Sequence, residues 1–230
     1  MNPSTRTQLI EGPAGAIDVA VDLPAGEIRA IAVVAHPHPL YGGTRDNKVV
    51  QTLARALLAT GHMVWRPNFR GVGASVGEHD HGEGETEDLL AVIAAAQNDS
   101  RAPDAARQRL ALAGFSFGSF VLSRVVARLS SAQRETLPLV LVGVAAQRFP
   151  VADVPAGTLV IHGEVDDVVP LGAVLNWARP QNLPVVVLPG ADHFFHRRLP
   201  ELKRLVMSHL IAWPQLAGAK GLEAADPATD

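Results

Sequence analysis

The sequence predicts an α/β protein built on a mostly parallel, doubly wound sheet with an antiparallel edge at its N-terminal end. Three observations carry this. Short β-branched apolar runs alternate with amphipathic stretches from about residue 30 onward, and strands divided by single helices cross over in parallel. The run over 28–36 is short and β-branched, of the kind that a buried parallel strand shows. Only "TQLIEGP" and "GAIDVAVDLP", before residue 28, alternate apolar with polar residues around a Gly/Pro turn, the pattern of an antiparallel pair.

Each element has its local reason. "IRAIAVVAH" (28–36) predicts the first parallel strand. "NKVVQTLARALLATG" (47–61) has helical spacing and ends on Gly61, a residue suited to stop a helix. "HMVWRPNF" (62–69) predicts the next strand, and "GETEDLLAVIAAAQ" (84–97) a helix whose acidic first turn suits the positive end of its dipole. There follow a strand over 109–115, a helix over 118–129, strands over 137–146 and 157–163, a helix over 171–179, a strand over 183–190 and a helix over 199–213. No repeat or linker divides the chain. One domain is expected over 1–215, with the small and polar residues of 216–230 as a disordered tail.

Composition excludes several function classes. Of the 230 residues, 47% are hydrophobic and 19% charged, and the formal net charge of −3 supplies no field for nucleic acid or an anionic membrane. Without cysteine there is no disulfide, thiolate metal site or cysteine nucleophile. The opening residues show no basic stretch followed by an apolar one, and no apolar run is long enough to span a bilayer. The expectation is a cytoplasmic protein with no membrane or nucleic-acid partner; its oligomeric state is open, a homodimer included.

In such a sheet, ligands sit at the carboxyl ends of the strands, and the polar residues of interest fall there. Gly114-Phe115-Ser116-Phe117-Gly118 is a G-x-S-x-G between a predicted strand and a predicted helix. The glycines relieve crowding, and the helix start sets free N–H groups beside Ser116. A serine hydroxyl needs a base to become a nucleophile. His193 follows a strand and precedes the last helix, whereas His196 stands at the helix entry, where a solvated or capping role is expected. The base needs an orienting carboxylate. Asp166 and Asp167 both follow a strand, one expected to face the site, with Glu164 a weaker candidate. "HDHGEGE" (79–85) has the composition of a metal tract, but a charged loop before a helix explains it, and no metal is expected. "NFRGVGASVG" lacks the spacing of a dinucleotide loop, and Arg70 within it is expected to pair with a carboxylate.

Taken together, "GFSFG", "HGEVDDVVP" and "PGADHFFH", in the order serine, acid, histidine, resemble the α/β-hydrolase superfamily over nearly the whole chain. "AVVAHPHPLYGGTRDNKVV" and "RPNFRGVGASVGEHDHGEGETEDL" are similar to segments of its small bacterial members without a lid. The resemblance implies Ser116 as nucleophile, His193 as base and Asp166, four residues after the histidine of the "HG" pair, as acid, with no cofactor or metal. It implies Phe117 N–H as the first oxyanion donor. The second comes from the loop after the strand ending near His36. That loop departs from the common His-Gly start: Pro37 and Pro39 have no N–H, leaving His38 or Leu40, with Leu40 the expected donor. Tyr41 is expected at the substrate or packed under the loop, and Phe115, Phe117 and Leu40 as an apolar floor. Only "AQRFPVADVPAG" (146–157) stands where a lid domain usually enters, too short to carry one. The expected activity is hydrolysis of small or short-chain esters, the partner being a small-molecule ester. An amidase, peptidase or thioesterase would use the same three residues, and a non-catalytic binding protein would keep the same fold.

Overall fold

A computed structural model describes residues 5–218. Its eight strands are β1 (Arg6–Gly12), β2 (Gly15–Asp22), β3 (Ala30–Ala35), β4 (His62–Pro67), β5 (Leu110–Phe115), β6 (Leu139–Val142), β7 (Leu159–Gly163) and β8 (Val185–Leu188). They form one sheet in the order β1-β2-β4-β3-β5-β6-β7-β8. β1 and β2 are antiparallel to each other and β2 is antiparallel to β4; every other pairing is parallel. The sheet is mostly parallel with one antiparallel edge, as the alternation of runs predicts.

The helices are α1 (Lys48–Ala59), α2 (Glu83–Gln97), α3 (Asp104–Arg107), α4 (Phe117–Arg128), α5 (Ser131–Thr136), α6 (Leu171–Ala178) and α7 (Leu199–Gly218). Strand alternation sends side chains to two cores. Ile31, Val33, Leu112, Leu139 and Leu141 face α2, α4 and α6, meeting Leu89, Val92, Phe120, Val121 and Val174. Ala32, Val34, Ala113, Val140 and Val142 face α1 and α7, meeting Val50, Leu53, Leu57, Leu202 and Val206. Both faces are covered, so β3, β5 and β6 carry no polar side chain. β8 lies at the far edge, and its four residues are only half-buried.

Three details differ from the sequence expectation. α3 and α5 are short helices with too few residues to show a period. The strand expected over 137–146 is confined to Leu139–Val142, because Gly143 takes a φ of +56° and turns the chain. The last helix runs on to Gly218; the expected tail lies, from 219 onward, outside the described residues. Among the described residues, no helix is long and apolar enough to cross a membrane.

Candidate active site

β5 ends at Phe115 and α4 begins at Phe117, so Ser116 alone makes the turn, at φ 55° and ψ −117°. A non-glycine residue in this region is strained and needs its surroundings to hold it. Ser116 N–H donates to Val142 O at 2.8 Å. Ser119 Oγ–H lies 2.9 Å from Gly114 O and 3.1 Å from Val142 O, tying the first turn of α4 to β5 and β6. Gly118 lets α4 start close to β3: a Cβ there would stand 2.4 Å from Ala35 O and 2.7 Å from His36 O. In the register Ala35↔Gly114 and Phe115↔Val142, the ends of β3, β5 and β6 converge on Ser116.

His193 reaches this point from the loop after β8. Its Nε2 is 3.0 Å from Ser116 Oγ and its Nδ1 2.7 Å from Asp166 Oδ2. The partners assign the tautomer: a carboxylate only accepts, so Nδ1 carries the hydrogen and Nε2 accepts from the serine hydroxyl. The ring lies against Phe115 at 4.9 Å and over Gly143, where a Cβ would stand 3.2 Å from its Cε1. All three residues are buried. Asp166 Oδ1 accepts from Val168 N–H at 2.9 Å and Val169 N–H at 2.7 Å. Burial alone would push this carboxyl up. The bonds from His193 and Val169, with the electrostatic influence of the two neighbouring imidazoles, His193 and His162, outweigh burial and hold it below the usual carboxylate range.

The other carboxylates of these loops have separate roles. Asp167 is exposed. Glu164 Oε2 accepts Gly190 N–H at 2.8 Å, and Val165 N–H donates to Ala191 O at 3.0 Å, so the Asp166 and His193 loops are bound to each other. His196, mostly exposed, pairs with Asp192.

The loop after β3 is anchored by His36, whose Nδ1–H donates to Pro37 O at 2.6 Å and whose Nε2 accepts Phe69 N–H at 2.8 Å. Burial, opposed by the Pro37 bond and aided by the charge of Arg45, brings its pKa down to about 4, so it is neutral here. Leu40 is not placed as the sequence suggests. Its N–H donates to His38 Nδ1 at 3.3 Å, capping a short 3₁₀ turn over Pro39–Tyr41, and its side chain is exposed. Among the hydrogen bonds of the described residues, neither His38 N–H nor Phe117 N–H has an acceptor.

The two expected substrate contacts also separate. Tyr41 is 76% exposed, its ring against His38 at 4.7 Å, so it stands at the rim and not under the loop. Phe115 is fully buried in the core facing α1 and α7 and supports the His193 ring from below; it does not line the site. Phe117 is buried among Phe69, Phe120 and Phe149, so it offers the site only its backbone.

The "HDHGEGE" tract folds around Glu85, whose carboxylate accepts Asp80 N–H at 2.9 Å and Gly82 N–H at 2.8 Å at the start of α2. Among the described residues, no three ligand-type side chains are set to hold a metal ion. Arg70 is held by Asp88 at 2.8 and 2.9 Å. A cleft of about 1200 Å³, lined by Arg29, His62, Arg109 and Trp213, opens at the amino ends of the strands, away from Ser116. Gly143 and His162, both in contact with the Ser116 group of residues, are invisible to motif reading: Gly143 gives no signal, and His162 appears only as the first letter of an "HG" pair.

A serine turned out of a central strand into a helix, with a histidine from a later strand end, is the mark of the α/β-hydrolases. The comparisons agree. The chain is 38% identical to an α/β serine hydrolase without a lid from Xanthomonas campestris, covering 93% of this chain and 96% of that one, with a TM-score of 0.82. It is 37% identical to an α/β serine hydrolase homologue from Coxiella burnetii, covering 91% and 98%, with a TM-score of 0.79. It is also 30% identical over 210 residues to an uncharacterized protein of Rickettsia prowazekii, 87% of this chain and 86% of that protein. No family model matches. The chain belongs to the α/β-hydrolase superfamily, among the serine hydrolases that lack a lid. In keeping with this, residues 143–158 between β6 and β7 contain no helix or strand.

Proposed function

We propose that the protein hydrolyses carboxylic esters of small or short-chain acyl groups through an acyl-enzyme. The observation that carries this is the unbroken hydrogen-bonded chain from Ser116 Oγ through His193 to Asp166. Ser116 Oγ attacks the ester carbonyl as His193 Nε2 takes its proton; Asp166 stabilises the resulting imidazolium. The alcohol leaves with that proton. Water, deprotonated by the same imidazole, then releases the acid and restores Ser116.

The developing oxyanion needs two donors. Phe117 N–H, at the free end of α4, is one. Leu40 N–H is already committed to His38 Nδ1 and the two prolines have none, so His38 N–H is the second. Exposed apolar side chains on the three site loops, Leu40, Tyr41, Val165 and Phe194, support an open site with an apolar rim. The test is twofold. A fluorophosphonate should label the protein on Ser116, and p-nitrophenyl acetate or butyrate should be turned over. Absence of labelling with the fold intact would refute the nucleophile; labelling without ester turnover would refute the substrate class.

A further inference from the structure

Asp166 touches two imidazoles. Besides the His193 bond, Oδ2 stands 3.4 Å from Nε2 of His162, on β7. His162 is fully buried, and its Nε2 is also 2.8 Å from Val169 O. A carbonyl can only accept, so Nε2 carries the hydrogen and Nδ1 is bare. That Nδ1 is buried with no hydrogen-bond partner. An unmet buried polar atom costs stability, and the neighbouring buried positions of the strand, Val160 and Ile161, are aliphatic. Packing alone therefore gives no reason for an imidazole at this position. Its Nε2–H, by contrast, is bonded to Val169 O and stands beside Asp166 Oδ2, a close polar contact at 3.4 Å and not a second hydrogen bond.

We propose that His162 is a positioning residue: a buried imidazole whose Nε2–H edge, anchored on Val169 O, stands beside the Asp166 carboxylate, holds it toward His193 and limits its basicity. This rests on the reading of Ser116, His193 and Asp166 given above. Two backbone N–H groups bond Oδ1 and the His193 imidazole bonds Oδ2, while the polar edge of His162 stands 3.4 Å from the same Oδ2. The titratable groups facing Asp166 are His193 and His162. Of the other acids in these loops, Glu164 is turned to Gly190 N–H, Asp167 is exposed and Asp192 is paired with His196. Desolvation holds His162 below the ordinary histidine range, against the Val169 bond and the Asp166 charge, which keeps it neutral.

A polar N–H held beside the charged form of a carboxylate favours that form and lowers its pKa. Without the N–H edge of His162 beside it, Asp166 becomes more basic and binds the His193 imidazolium more strongly. The acid limb of kcat/KM then moves to higher pH. In His162→Leu we expect that shift together with a loss of about tenfold in kcat, as the carboxylate is held less firmly toward His193. In His162→Gln, which can place an amide N–H near Nε2, both should return toward the parent enzyme. A lower kcat with an unmoved limb in the Leu variant, or no recovery in Gln, would overturn the proposal. ¹⁵N NMR of the unaltered enzyme tests it without relying on either variant folding: the neutral His162 ring must be the Nε2–H tautomer, and an Nδ1–H tautomer would overturn it. Ser116→Ala distinguishes the two readings, because residual activity there refutes the triad while leaving the tautomer of His162 as found.

Discussion

Ser116 occupies a left-handed backbone conformation because the chain must leave β5 and enter α4 within one residue. Alanine has the same Cβ and makes the same turn, so Ser116→Ala should keep the melting temperature while lowering kcat on the order of 10⁶-fold. More than a few per cent of residual activity in a pure preparation would remove the serine from the mechanism. The adjacent aspartates should separate as sharply. Asp166→Asn is expected to lower kcat by roughly 10⁴, and Asp167→Asn to do little, since Asp167 is exposed; the reverse ranking would reassign the acid. At this scale the sequence revealed the residues that reach out and missed those that hold. Ser116, His193 and Asp166 stand beside motifs and strand ends. His162 and Gly143 act through contacts that only the fold creates. The sequence does not show where Leu40 N–H goes, since its capture by His38 Nδ1 depends on a side-chain rotamer, nor that Phe115 is buried, since the letters of a G-x-S-x-G do not say which face of the sheet each side chain takes.

The elements were legible where periodicity had room to repeat, as in the long apolar runs of β3, β5, α1 and α7. They were not where four to six residues form a helix, as in α3 and α5, or where a single positive φ ends a strand, as at Gly143. The junctions carry two expectations. Gly118→Ala forces a Cβ against backbone oxygens of β3, which cannot move like a side chain; we expect a loss of about 3 kcal/mol by urea melting, and an unchanged midpoint would mean that β3 and α4 are less tightly apposed. His36 and His62 are both buried with pKa values brought to about 4, by desolvation foremost. In the unfolded chain each titrates near 6.5, so the unfolded state binds protons first. Their contribution is full above about pH 6.5 and is lost progressively as pH falls toward about 4, on the order of 2–3 kcal/mol each. Urea melts at pH 7.5 and 5 should show a lower midpoint at pH 5 with the same slope; equal midpoints would contradict the burial of neutral imidazoles.

For the whole molecule, the missing lid sets the range of substrates. Each buried CH₂ contributes roughly 0.8 kcal/mol, but only where a wall can cover it. On p-nitrophenyl esters, kcat/KM should hold or rise to about four acyl carbons and then flatten or fall. A steady several-fold gain per two carbons out to about twelve would mean that something closes over the chain. The placement of β8 has a different consequence. Ser116 hangs from the middle of the sheet, whereas His193 hangs from its outermost, half-buried strand, and Gly190 and Ala191 bind the His193 loop to the Asp166 loop. Edge strands open at lower free-energy cost than central ones. Turnover should therefore disappear at urea concentrations that leave far-UV circular dichroism intact, and return on dilution: the enzyme would lose its chemistry by fraying along one seam, long before it unfolds.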